Sequence, residues 1–126
     1  MDSNEYLVIS RGHWDASLSP EQIQAAIDAF YHWHAQLVEQ GQMKPGQRLA
    51  REGRLVTKQR IIDGPYTEAK EVIGGYWFIY AASLDDAATI AAGNPCLACG
   101  LENEIRPIEE RRASAYDLSN ETPDAR

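Results

Sequence analysis

The sequence of 126 residues predicts one α+β domain, in which two helices cover one face of an antiparallel sheet. Three observations lead to this class. Two short segments are apolar on both faces, as buried strands are. Two longer segments combine helical periodicity with helix-start signals. The elements follow one another as strand, helix, strand, strand, helix, strand, which is the split βαβ, or ferredoxin-like βαββαβ, arrangement.

The two best strands are predicted from their apolar runs. The segment Glu5 to Arg11 (EYLVISR) carries apolar side chains on both faces, and so does the segment Tyr76 to Ala82 (YWFIYAA). We therefore expect both faces of these strands to be buried, and the second of them to lie in the centre of the sheet.

Two weaker regions complete the predicted sheet. The segment Gln47 to Ile62 is predicted to form a small hairpin that turns near Glu52-Gly53 and leads into a longer strand from Leu55. The segment Glu102 to Glu109 is predicted to be the last strand, because Pro107 suits a strand end or a sheet edge.

The first helix carries signals at both ends. Ser19 can cap it, a proline suits its first position, and Gln22 completes a capping box. An apolar stripe at helical spacing follows and includes His34. The helix is predicted to span about Pro20 to Gln40, because the next residue is a glycine, the preferred C-terminal cap.

The second helix is predicted to start after Ser83, which can act as its cap, and it carries acidic residues in its first turn. Its many alanines allow close packing on a sheet. Gly93-Asn94-Pro95 ends it. The domain is predicted to occupy residues 1–110, and residues 111–126 are predicted to form a polar tail with little to bury.

Two helices on one side of the sheet cannot cover Tyr6, Val8, Trp77 and Ile79 together, so one apolar sheet face is predicted to remain open. A second copy packed sheet against sheet, in a two-fold homodimer, would cover it. The space between the two sheets would then be the natural cavity for a small-molecule ligand.

Composition and charge exclude several classes of partner. The net charge is −7 and no basic stripe is present, which disfavours nucleic acid. No apolar run of about 18 residues predicts a membrane span, and the N-terminal segment lacks a signal-peptide pattern, so a cytoplasmic protein is predicted. No cofactor fingerprint and no metal-ligand cluster is visible. Cys96 and Cys99 are read as two reduced cysteines rather than a redox pair or half of a zinc site.

The residues with chemical potential concentrate in IIDGPYTEAKEVIGGYWFIY, from Ile61 to Tyr80. It is not a phosphate loop, because its lysine precedes the glycine pair and a strand follows instead of a helix. One reading is catalytic: acidic side chains share a low-dielectric cavity and one acts as a general acid or base. The other is structural: an Asp-Gly-Pro turn followed by a solvated loop.

On the catalytic reading, the candidate site residues divide into two groups. Asp63 and His34 are the candidate catalytic pair, although His34 also fits the role of a satisfied core histidine. The ligand-binding candidates include cations that would hold an anionic group, and they are Glu68, Lys70, Tyr76 and Arg106.

The residues also carry a family resemblance. The segment DGPYTEAKEVIGGYWFIYAASLDDAATIAAGNP, followed by ENEIRPI, resembles the YCII-related family in the branch marked by a DGPF or DGPY motif. The markers are Asp63-Gly64-Pro65-Tyr66, Lys70-Glu71, Gly74-Gly75-Tyr76 and the ending EIRP at Glu104 to Pro107. The resemblance extends over about Glu5 to Ile108.

This resemblance implies a ferredoxin-like fold that dimerises as an α/β barrel. In the wider family, which includes a dehydrochlorinase, a first-helix histidine and an aspartate before a proline are the proposed catalytic pair. Here Asn94-Pro95 stands at the aspartate position and the histidine position falls near Phe30, with His34 one turn later. Two functions stay open: a small-molecule binder or small enzyme, and a non-catalytic regulatory or interaction module linked to an extracytoplasmic-function sigma factor.

Overall fold

The computed structural model of the chain describes residues 3–65 and 71–123. Within these residues, six strands and two helices follow one another, and a short 3-10 helix, Pro95–Cys99, lies between the second helix and the last strand. The bounds are β1 Asn4–Arg11, α1 Pro20–Glu39, β2 Met43–Arg48, β3 Gly53–Val56, β4 Ile61–Gly64, β5 Ile73–Ala81, α2 Leu84–Ala91 and β6 Glu102–Pro107.

Four of the strands form the main sheet in the order β2-β5-β1-β6, and all of its pairs are antiparallel. The first and the third strand of this sheet along the chain are therefore central, as in a ferredoxin-like fold. The predicted α+β class is confirmed. Strands β3 and β4 form a separate two-stranded hairpin.

The prediction for the strand that comes second along the chain in the main sheet is wrong. That strand is β2, which begins at Met43, whereas the predicted longer strand from Leu55 belongs to the separate hairpin. The hairpin turns at residues 57–60, where the N–H of Thr57 donates to the carbonyl of Arg60. It does not turn near Glu52-Gly53, as predicted. The sequence MKPGQR of β2 hides its strand character, because proline and glycine usually break strands and are tolerated at a sheet edge or a bulge.

Both helix starts are confirmed. At α1, the N–H of Gln22 donates to Ser19 Oγ at 3.1 Å and the N–H of Ser19 donates to Gln22 Oε1 at 2.8 Å, which is the predicted capping box. The helix ends one residue before the predicted end, and Gly41 follows it with a positive φ of 77°. At α2, Ser83 Oγ accepts from the N–H of Asp86.

The core lies between the helices and one face of the main sheet. In the register of β1 and β5, Tyr6 pairs with Ile79 and Val8 pairs with Trp77, so all four side chains point to the same side. All four are buried there, against α2 residues such as Ala87. The expectation that two helices cannot cover them together is wrong, because the alanines of α2 allow it to approach the sheet closely.

The opposite face of the sheet carries the alternate residues of the same strands. Leu7, Ile9 and Phe78 lie there and are half-buried. Ion pairs surround this apolar centre: Lys44 Nζ lies 2.6 Å from Glu5 Oε2 and 4.3 Å from the centre of the Phe78 ring. This face, rather than the one predicted, is the open face of the sheet. No helix in the described ranges is both long and apolar enough to cross a membrane.

Candidate functional site

A pocket of about 350 Å³ opens between α1 and the main sheet, at the end where β1 stops and β5 begins. It lies on the helix-covered side of the sheet, opposite to the open face that carries Leu7, Ile9 and Phe78. Its walls come from β1, α1, β2, β5 and the 3-10 helix. Its lining residues include Ser10, Phe30, His34, Arg48, Trp77 and Asn94.

The pocket exists because side chains are small at this end of the sheet. Ser10 pairs with Gly75, and both lie on the helix-facing side. One step further in, the corresponding pair is Val8 and Trp77, which fills the space under the helices. The same alternation that builds the core therefore leaves a concavity where its residues become a serine and a glycine.

Two irregularities in strand pairing shape the rim of the pocket. The β1–β5 register shifts after Ser10, and the β2–β5 register shifts between Lys44 and Gln47. A Cβ at position 46 would overlap the backbone oxygen of Tyr76, and one at Gly75 would lie 2.9 Å from the backbone oxygen of Gln47. These glycines are required because two backbones approach each other closely there. Bulges of this kind are common beside functional sites.

His34 projects from α1 into the pocket. Its ring stacks on Phe30 with centroids 5.5 Å apart, and its Nδ1 lies 3.1 Å from Met43 Sδ. The Trp77 ring meets the His34 ring edge to face, and the centroids of the two rings are 6.2 Å apart. Burial among these groups lowers the pKa of His34 below its ordinary value. The imidazole is therefore neutral near pH 7, and Nε2 has no hydrogen-bond partner among the described residues.

Trp77 supplies a second unused polar group. The residue is only 8% exposed, and its Nε1 is buried without a hydrogen-bond partner within residues 3–65 and 71–123. An indole N–H is a donor only, and a buried donor normally finds an acceptor. The sequence indicates a packing role for this tryptophan, and it does pack, but nothing in the sequence predicts that its N–H is left unpaired in the core.

Asn94 lines the pocket but is already fully engaged. Its Oδ1 accepts from the N–H of Cys96 at 2.8 Å, and its Nδ2 donates to Asn103 Oδ1 at 2.9 Å. It caps the 3-10 helix and joins it to β6. Its amide is not a titrating group, so its role here is structural.

The pocket contains no reactive thiol. Cys96 is buried and donates weakly to the carbonyl of Ala26 at 3.6 Å. Burial first, and the charge of Cys99 second, raise the pKa of the Cys96 thiol to about 11. A thiol with that pKa is protonated near neutral pH and is a poor nucleophile. Both cysteines are free, and no cluster of His, Cys, Asp and Glu in the described part of the chain could hold a metal ion.

The other candidate residues do not gather around His34. Asp63 lies on the β3–β4 hairpin with its side chain 95% exposed, 3.6 Å from Arg54 Nε, and it does not line the pocket. Arg106 is exposed on β6, with Nη1 3.3 Å from Glu104 Oε2. Tyr76 lines the pocket while its ring contacts Phe78. Two further candidates, Glu68 and Lys70, lie outside the described residues.

A family model for the YCII-related domain matches residues 5–110. The chain belongs to the YCII-related domain family. No functionally curated protein matches the sequence. The match covers every helix and strand of this YCII-related domain except the first residue of β1. Assignment to the branch marked by DGPF or DGPY stays a prediction.

The YCII-related resemblance expects a catalytic pair at two positions, near Phe30 and at Asn94. Both residues line the pocket of this YCII-related domain. Neither side chain ionises, so the pair has no general base here. His34, one turn along α1 from Phe30, is the imidazole that faces the same space.

Proposed function

We propose that this YCII-related domain binds a small organic molecule in the pocket between α1 and the main sheet. The observation that carries this proposal is the pocket of about 350 Å³, which is lined by the imidazole of His34, whose Nε2 has no hydrogen-bond partner among the described residues. A ligand that hydrogen-bonds to this Nε2 would satisfy a polar atom that the described residues leave unpaired. Small-molecule sites commonly are concave, mostly apolar and furnished with few polar groups.

His34 is the candidate for proton chemistry in this site. Its pKa is lowered by burial, so the imidazole is available as a neutral acceptor or base, and Nδ1 is occupied by the Met43 sulfur. Nε2 is then the atom for the ligand. Tyr76 borders the pocket while its ring lies on the open face against Phe78, and catalytic participation of Asp63 would require a different arrangement around its exposed side chain.

The test is a fragment-binding experiment with a blocked pocket. Binding is followed by two-dimensional NMR on labelled protein, and we expect shift changes at Ser10, His34 and the Trp77 indole N–H. In the variant Ser10→Leu, the larger side chain fills the pocket, and binding should disappear. The matched control Ser3→Leu changes an exposed serine near the N-terminus and should bind as the wild type does.

A wild-type spectrum in which no member of a general fragment library shifts the pocket signals at millimolar concentration would refute the proposal. Circular dichroism and the melting temperature show whether Ser10→Leu remains folded. If it does not, Ser10→Val provides the same test with a smaller intrusion.

We also propose the homodimer predicted from the sequence, with the open sheet face as its contact. Leu7, Ile9 and Phe78 form the apolar centre of that face, and the charged groups at its rim are already paired within the chain. Light scattering at micromolar concentration should give twice the chain mass, and Leu7→Glu should reduce it to one chain. A wild-type protein that is monomeric in this experiment would rule the dimer out.

The alternative function, a regulatory or interaction module, is favoured by a different region. On the β3–β4 hairpin, Val56 and Ile61 are paired with each other and are 73% and 69% exposed. A two-stranded ribbon that exposes such a pair is suited to contact another protein, and a sigma factor is the partner implied by the family resemblance. A pull-down from the native host with wild type and the double variant Val56→Ser/Ile61→Ser would test it. Recovery of the same proteins by both would count against it.

A further inference from the structure

We infer that the ligand of the α1–sheet pocket is a small organic acid with a flat, unsaturated body. This inference rests on the proposed function, and it specifies the class of molecule that the pocket selects. It follows from the charge of the pocket lining and from the shape and chemistry of the walls.

The first observation is the charge of the lining. Arg48 is its one formally charged residue, and no aspartate or glutamate within the described part of the chain lines the pocket. This is unusual for the molecule as a whole, since the chain carries 19 acidic and 12 basic side chains. The pocket is thus a locally positive concavity in an acidic protein, and it favours an anion over a neutral or cationic ligand.

The second observation is that Arg48 lies on the same side of the sheet as the pocket. Arg48 pairs with Gly75 in the β2–β5 register, and paired residues point to the same side of a sheet. Because residue 75 has no side chain, the space beside Arg48 is not filled from the neighbouring strand. The described residues give Arg48 no ion pair. A guanidinium presents a planar set of donors that matches a carboxylate in two parallel hydrogen bonds.

The third observation is that the polar groups near Arg48 do not attract a cation. Trp77 Nε1–H is a donor only and lacks an acceptor. Burial lowers the pKa of His34, so this side chain adds no second positive charge near pH 7 and is free to accept or donate one hydrogen bond. Arg48 is therefore the charged donor in the lining for the oxygens of an acid group, and His34 adds one neutral hydrogen-bonding group.

The fourth observation concerns the body of the ligand. The walls around these donors are aromatic: Phe30 and His34 stack on each other with their planes only 9° apart, and Trp77 meets both rings edge on. Trp14 and Tyr31 also line the pocket. Flat rings pack against such walls in offset-stacked or edge-to-face arrangements. A volume of about 350 Å³ suits a molecule of one or two rings.

The experiment compares aromatic carboxylates with their primary amides, which have the same shape and no charge. Affinities of benzoate, 2-naphthoate, benzamide and 2-naphthamide are measured by NMR titration with the pocket signals as readout. We expect the acids to bind about tenfold or more tightly than the amides, with the difference shrinking as salt is added.

Two variants connect the preference to its source. Arg48→Gln should remove the difference between acids and amides while amides still bind, and Trp77→Phe should weaken both series because the smaller ring leaves a gap in the aromatic wall. Arg51→Gln, which changes an exposed arginine outside the pocket lining, is the matched control and should leave the preference intact.

The outcomes separate this inference from the proposed function. If amides bind as tightly as acids, or if Arg48→Gln leaves the preference unchanged, the inference is wrong while the pocket remains a binding site. If neither series shifts the pocket signals and a general fragment library is also silent, the proposed function is wrong and the inference falls with it.

Discussion

The two ends of the helix-facing side of the main sheet are built by the same strand pairing and differ in outcome. At the closed end, Tyr6 pairs with Ile79 and the helices cover both completely. At the open end, Ser10 pairs with Gly75, and the space that a larger pair would fill is the pocket. The comparison teaches that a pocket can arise by leaving volume out of a regular core, with no change of topology.

The largest expected effect is at the closed end. Ile79→Ala removes a fully buried side chain from the middle of the core, where the surroundings cannot collapse into the gap. We expect a loss of about 2–5 kcal/mol in the free energy of unfolding. Ile61→Ala makes the same chemical change on the exposed hairpin and should alter it by no more than about 0.5 kcal/mol. Urea unfolding measures both, and equal losses would contradict the assignment of the core.

The next effect is at the floor of the open end. Asn94→Ala deletes an acceptor for the N–H of Cys96 and a donor to Asn103 in a buried location. The expected loss is about 1–3 kcal/mol, because buried groups lose their partners. Asn120→Ala, at an exposed position in the C-terminal segment, is the control and should be neutral. A neutral Asn94→Ala would show that this asparagine is not needed to hold the pocket floor.

A pH effect should come from His34. Its pKa in the folded chain is lowered from 6.5 by burial, so the unfolded chain takes up the proton first as the pH falls. The free energy of unfolding should therefore decline as the pH drops below about 6.5, until the folded-state pKa is passed. Between pH 7.5 and 5.5 the wild type should lose more stability than His34→Gln does.

His32→Gln is the matched control for this measurement, because His32 is exposed on the same helix. It should lose as much stability as the wild type over that pH interval. A His34→Gln variant whose urea unfolding shows the same pH dependence as the wild type would contradict the buried, neutral state of the imidazole.

The smallest effect is expected far from both ends of the sheet. Asp63 is almost fully exposed, and its contact with Arg54 is a surface ion pair, which contributes little. Asp63→Ala should change the free energy of unfolding by less than about 0.5 kcal/mol and leave fragment binding in the pocket unaltered. A lost ligand response in this variant would restore Asp63 to the site and connect the hairpin with the pocket.

The elements with local signals are predicted correctly. Ser19 and Gln22 specify the start of α1, Ser83 specifies the start of α2, and the apolar runs specify β1 and β5. The strand β2 is missed because its stability comes from pairing with β5 and not from its own residues, among which Pro45 and Gly46 argue against a strand. Strand propensity depends strongly on such context.

The candidate site is predicted only in part. His34 and Tyr76 are among the predicted residues, and both line the pocket. Arg48 is missed because its surroundings give no motif, and only the register with Gly75 shows on which side of the sheet it lies. The segment richest in motifs, around Asp63, instead forms an exposed hairpin. A turn motif specifies only the local backbone conformation, and it does not determine where a pocket forms.

The sequence by itself determined the fold class, both helices, the two central strands and the family, because each depends on periodicity, capping or a motif that neighbouring residues carry. The tertiary structure alone decided which sheet face the helices cover and where the pocket opens. The reason is that the side of a strand residue depends on pairing register, and a cavity depends on which small residues meet across strands. Ser10 and Gly75 are 65 positions apart along the chain, yet their pairing makes the space that His34, Arg48 and Trp77 surround.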